Sequence, residues 1–138
     1  MSGVGPPQPI LGLSENNKIV TMRPMSYSIL YYSQSVQAAI EALPDTLAAR
    51  YVVLTRRMQE HGPNLGEPHT KAFGDGLFEL RLKGADGIAR VFFCTQVGRR
   101  IVMLHSFVKK TAKTPPRERR LAEARMQEIA NEESRRVD

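Results

Sequence analysis

The chain has 138 residues, 41% of them apolar, enough for one compact core, while its longest apolar runs, such as Ile101 to Leu104, fall far short of the roughly 20 residues a spanning helix needs. The start shows no basic, apolar and small-residue succession of a secretory signal, so a cytoplasmic location without a membrane partner is expected. A formal net charge of +6 favours a polyanionic or acidic partner, because cationic surfaces attract phosphates and release their counterions.

Residues 1–24 hold four of the nine prolines together with Gly3, Gly5 and Gly12, and no strand or helix period runs through them. They are expected to form a flexible leader without chemistry, and residues 25–138 the functional domain. Ser26 to Tyr32, SYSILYY, is rich in aromatic and branched residues and predicts a first strand. Ser33 can cap a short helix through Val36, Ile40 and Leu43, which Pro44 and Asp45 interrupt. In the next segment Leu47, Tyr51, Leu54 and Met58 recur at helical spacing, opposite Arg50, Arg57 and Glu60, so the two helices form a hairpin with one apolar stripe to bury.

His61 to His69, HGPNLGEPH, turns the chain away from helix. Phe78, Leu80 and Leu82 then alternate with Glu79, Arg81 and Lys83, the period of a half-exposed strand. Gly84 to Gly87 and Gly98 mark turns that separate it from strands at Ile88 to Thr95 and Ile101 to Val108. From about residue 116, RERRLAEARMQEIANEESRR predicts a charged helix whose thin apolar line, Ala122, Met126 and Ile129, would dock loosely. The fold class is therefore α+β: a first strand, a helical hairpin packed on an antiparallel sheet completed by a three-strand meander, and a C-terminal helix. One sheet face accepts the hairpin and the other is expected to stay open.

Cys94 is the single cysteine and lies inside an apolar run, the position of a packed residue rather than a nucleophile. His61, His69 and His105 are scattered along the chain, with no second cysteine to complete a zinc set, so neither a metal nor another cofactor is expected. The chemistry-bearing residues lie elsewhere. Strand alternation sends Glu79 and Arg81 to the face opposite Phe78, Leu80 and Leu82, where they meet solvent or substrate. Arg90 shares its face with Ile88, Phe92 and Cys94, and a charge there needs a partner or an opening. Lys109, Lys110 and Lys113, in FVKKTAKTP, create a positive field at the end of the last strand.

DGLFELR (Asp75 to Arg81), ARVFF (Ala89 to Phe93) and LHSFVKKTAKTP (Leu104 to Pro115) together resemble the HigB-like branch of the RelE/ParE toxin superfamily, the phage-derived HigB-type toxins of type II toxin-antitoxin systems. The resemblance covers about residues 27–129, and its most specific part is the Lys-Lys-Thr, Lys-Thr-Pro sequence. It implies a RelE-like fold and a ribosome-dependent mRNA endoribonuclease that inhibits translation. It also implies a cognate antitoxin, in this branch often a HigA-like helix-turn-helix protein, with ribosome and mRNA as the other partners.

Attack of a 2′-OH on the adjacent phosphate builds negative charge that guanidinium and ammonium groups can stabilise without a metal. The resemblance maps that role onto Arg81, Arg90, Lys109 and Lys110, with Lys71, Lys83 and Lys113 as further RNA-binding cations. The well-known RelE relatives carry paired lysines on the strand corresponding to Phe78 through Arg81 and a tyrosine near the C-terminus. This chain has Glu79 there and no tyrosine after Tyr51. Glu79 or His105 is then the candidate proton carrier. The alternative for His105 is a half-buried, hydrogen-bonded structural residue, and for Arg81 a pair with Glu79 of its own face or with a helix carboxylate. The alternative for the whole chain is a non-nucleolytic binder on the same fold, such as a ParE-like topoisomerase inhibitor.

Overall fold

The computed structural model describes residues 10–13, 19–22 and 27–136. Strands β1 (Ile10–Leu13) and β2 (Ile19–Met22) pair antiparallel as a separate two-stranded ladder. They fall in the segment where no strand period was expected; the rest of residues 1–24 lies outside the described residues. The main body follows the order β3 (Ser28–Tyr31), α1 (Gln34–Glu41), α2 (Asp45–His61), β4 (Thr70–Gly74), β5 (Leu77–Gly84), β6 (Gly87–Gln96), β7 (Arg100–Val108) and α3 (Pro116–Arg136).

The starts of α1 and α2 are each fixed by a side-chain acceptor. The Ser33 hydroxyl accepts a 3.2 Å hydrogen bond from the Val36 amide, the cap that its position suggested. Helix α2 takes its cap from a distance: the Asp86 carboxylate accepts from the Thr46 amide at 3.1 Å and from the Thr46 hydroxyl at 2.7 Å. That bond pins the β5–β6 turn to the helix. Gly84 makes the approach possible, since a Cβ there would stand 2.7 Å from Thr46 Oγ1. Gly62, at φ 106°, ends α2 in a conformation that L side chains avoid.

The main sheet has the order β3-β7-β6-β5-β4. It departs from the antiparallel expectation at one place, because β3 runs parallel to β7 while the other neighbours are antiparallel. β3 reaches its partner only after the helical hairpin and the whole meander have intervened, a pairing that no local pattern encodes. The meander also has a strand more than expected. Thr70–Gly74 pairs with β5 around a bulge between Ala72 and Gly74, and its irregular pattern of exposure hides the strand period.

Helices α1 and α2 cover one face of the sheet. Val36, Ile40, Leu47, Leu54 and Met58 pack there against Leu80, Leu82, Val91, Phe93, Ile101 and Met103, each large side chain contributing about 1.5–3 kcal/mol through its removal from water. The opposite face is not open. Helix α3 lies across part of it, burying Ala122 completely and enclosing Leu77, Phe92, Cys94, Val102 and Leu104. Burial raises the Cys94 thiol pKa to about 11, in keeping with a packed residue. No helix among the described residues is long and apolar enough to cross a membrane.

Candidate functional site

The part of the second face that α3 leaves uncovered carries the charged side chains. Two cross-strand rows organise it: Lys71, Glu79, Phe92 and His105 are in register across β4 to β7, and Arg81, Arg90 and Phe107 form the next row. His105 and Phe107 belong to these rows because of a register shift. Phe92 pairs with His105 but Phe93 with Met103, so Leu104 is an extra residue in β7, and a bulge of this kind reverses the facing of the residues beyond it. Without the bulge, strict alternation would put His105 on the face of Ile101 and Met103. The structure puts it on the α3 face, stacked at 6.0 Å on Phe107 and 2.6 Å from Glu118 Oε1 through Nε2.

Beyond β7 the chain folds over the end of the sheet. The Lys109 amide extends the ladder by donating to Ile88 O, and its ammonium donates to Ala112 O at 2.8 Å. Thr114 Oγ1 donates to Glu79 Oε2 at 3.3 Å, latching the connection down. The first turns of α3 complete a cleft of about 410 Å³. Lys71, Arg81, Arg90, Lys109, Lys113 and Arg119 line it, with Glu79 as the one carboxylate.

Glu79 organises this cluster. The sequence pattern had turned it toward solvent, whereas its side chain is only 3% exposed, because α3 and the preceding connection close over that face. Its Oε1 accepts from Arg81 Nε at 3.3 Å and lies 3.4 Å from Arg90 Nε. The Arg90 contact is close enough for attraction but not aligned as a hydrogen bond, which leaves that nitrogen without a hydrogen-bond partner. Burial lowers the Arg90 pKa, Glu79 opposes the shift and Arg81 adds to it; a guanidinium stays charged even so. Burial, together with the charge of Arg90, also lowers the Lys109 pKa, against the pull of Glu79. Cations already stripped of water gain more from an arriving anion than solvated ones do.

Of the expected site residues, the cleft gathers Glu79, Arg81, Arg90, Lys109, Lys113 and Lys71. Lys83 lies next to it, in a depression that shares Arg81 and Arg90. Lys110 is exposed and His105 is tied to α3; neither lines the cleft. Arg119, Thr114 and Phe73 were missed. The Arg119 guanidinium stacks 4.4 Å above the Phe73 ring, with Lys71 5.4 Å from the same ring. A signal for Arg119 existed: Ala122, Met126 and Ile129 extended one turn toward the N-terminus reach position 119. Among the described residues no three His, Cys, Asp or Glu side chains converge as a metal site would require.

Residues 38–127 match the family described as phage-derived protein Gp49-like. The chain belongs to that family. The match runs from the middle of α1 to beyond the midpoint of α3, so all the cleft-lining residues fall within the family region. No curated protein matches the chain. Among solved structures, it is similar to a chain of the archaeal RelE-RelB complex from Pyrococcus horikoshii OT3, at 18% identity and a TM-score of 0.48, covering 64% of this chain and 100% of that one.

Proposed function

We propose that this Gp49-like protein is the toxin of a toxin-antitoxin pair, a HigB-like endoribonuclease that cuts mRNA on the ribosome. The observation that carries the reading is the cleft itself, in which six cations surround one carboxylate on a partly dehydrated sheet face. Such a site suits a phosphodiester whose charge grows during reaction. LHSFVKKTAKTP supports the same reading, since its Lys109, Lys113 and Thr114 all reach the cleft.

In the proposed reaction the 2′-OH attacks the adjacent phosphorus, its proton passing to a solvent water, and the bond to the 5′-oxygen breaks to leave a 2′,3′-cyclic phosphate. Arg81 and Arg90 stabilise the phosphorane oxygens, and Lys109, which lines the cleft beside them, protonates the departing oxygen. Glu79 holds the two arginines side by side and aimed. Lys71, Lys113 and Arg119 hold the flanking backbone. An antitoxin, in this branch a helix-turn-helix protein, would silence the site by covering it or by blocking entry to the ribosome.

The test is controlled expression in a bacterium, followed by mapping of mRNA ends. Growth arrest with codon-phased cuts is expected, and Arg81→Ala or Arg90→Ala should each lower the cutting rate about 100-fold or more. Intact mRNA in cells that accumulate the folded chain would sink the nuclease reading; DNA-damage signalling with intact mRNA would select a topoisomerase inhibitor instead.

A further inference from the structure

Arg81 and Arg90 form a ridge with the cleft on one side and a second depression, of about 520 Å³, on the other. Arg50 reaches this depression from α2, Lys83 and Ile88 from the β5–β6 hairpin, and Pro68 and His69 from the segment before β4. Two separate parts of the fold, α2 and the β5–β6 hairpin, thus bring a cation each to one concavity, and the cutting chemistry uses neither Arg50 nor Lys83. Among the described residues neither of them has a carboxylate within ion-pair distance. Besides Glu79, the anionic group beside the ridge is Glu67, which stands 3.8 Å from Arg81 and is 70% exposed.

The depression also has the mixed lining that a nucleotide needs. Pro68, Ile88 and the half-buried ring of His69 offer apolar or flat surface beside the two cations. Burial, followed by the charges of Arg57 and Arg50, lowers the His69 pKa and so disfavours its protonated form. Grooves for single-stranded nucleic acid combine cations along the backbone with flat side chains against the bases.

We infer that this second depression is a subsite for the nucleotide adjoining the one cut, with Arg50 and Lys83 on its phosphate and the Pro68–His69 edge against its base. The inference rests on the proposed reading of the cleft as an RNA site and extends it. The strand then crosses the Arg81–Arg90 ridge, which places the scissile phosphate between two occupied pockets and fixes it over both guanidinium groups.

The experiment is a titration of the purified full chain with 2′-O-methyl oligoribonucleotides, which cannot react, in lengths of two and four nucleotides. An Arg50→Gln, Lys83→Gln double variant should bind the dinucleotide as the parent does and the tetranucleotide about tenfold more weakly. Its salt slope should fall by about 0.7 for each phosphate that no longer meets a cation. The charge-preserving Arg50→Lys, Lys83→Arg variant should recover most of the affinity, and circular dichroism should show the parent fold in both. Equal tetranucleotide affinity in parent and double variant overturns the subsite and leaves the cleft reading intact. Absence of binding by the parent at either length overturns the cleft reading and the subsite with it.

Discussion

Arg81 and Arg90 are direct partners across the β5–β6 ladder, and the Glu79 carboxylate lies 3.3 Å from one Nε and 3.4 Å from the other. Like charges placed opposite one another on a sheet repel, so a single buried carboxylate holds the pair together. The consequence is a site whose affinity for anions and whose contribution to stability pull in opposite directions.

Replacing Glu79 by Gln keeps the shape and removes the charge. With its side chain only 12% exposed, Arg90 would then be left among like charges, and urea unfolding should register a loss of about 1–3 kcal/mol. Binding of the 2′-O-methyl dinucleotide should tighten in the same variant. A variant as stable as the parent would remove the counter-ion role given to Glu79.

His105 and Glu118 are each 16% exposed and meet at 2.6 Å outside the cleft. Their bond fastens the first turn of α3 to β7, with Arg125 donating to Leu104 O at 2.7 Å two turns later. His105→Ala or Glu118→Gln should cost about 1–2 kcal/mol in denaturant unfolding and leave the proposed RNA-cutting rate within several-fold of the parent's. A hundredfold loss of rate in a stable His105 variant would move this residue into the chemistry.

Lys109 carries the pH dependence of anion binding in the cleft. Burial first, then repulsion from Arg90, lowers its pKa from the ordinary 10.5, so the ammonium loses its proton earlier on the alkaline side than a free lysine does. Dinucleotide affinity should fall on the alkaline side at lower pH than a free lysine's titration would bring about, and Lys109→Arg should shift that fall to higher pH, because a guanidinium holds its proton far more tightly than an ammonium does. Identical profiles for the two proteins would exclude Lys109 as the titrating group.

Asp86 links stability to pH with the opposite sign. Its hydrogen bonds from Thr46 hold the folded pKa below the ordinary 3.8, so its stabilising effect is complete above the unfolded value and is lost as pH falls through the folded one. The melting temperature of Asp86→Asn should lie below that of the parent at neutral pH, and the gap should close in acid. A constant gap across that range would mean that the charge is irrelevant to the cap.

At Gly84 the constraint is steric. An added Cβ would meet Thr46 Oγ1 at 2.7 Å and the Thr46 backbone carbon at 3.3 Å, so the turn must move away from α2. Gly84→Ala should destabilise the fold by about 1–3 kcal/mol in urea and weaken the Asp86 cap with it. A neutral effect would show that the turn and helix can separate freely.

Much of the architecture was legible because it is written in local periods. The stripe of Leu47, Tyr51, Leu54 and Met58 in α2, the alternation in β5 and the glycines between strands each report an element through its own spacing. Strand β4 was not legible, since TKAFG has no clean alternation and is a strand by virtue of pairing with β5. In the candidate site, Arg81, Arg90 and Lys109 stood out as charges at strand positions. Arg119 lay hidden in a charged helix whose docking face its neighbours only weakly mark.

The sequence by itself determined the succession of helices and strands, the hairpin's apolar face and the basic character of the last strand end, because these depend on side-chain spacing along one segment. Tertiary structure alone decided that β3 joins β7 in parallel, that Leu104 bulges and turns His105 toward α3, and that Glu79 is buried among cations drawn from β4, β5, β6, the β7–α3 connection and α3. Those outcomes depend on contacts between residues far apart in the chain, where each element's facing is fixed by what packs over it.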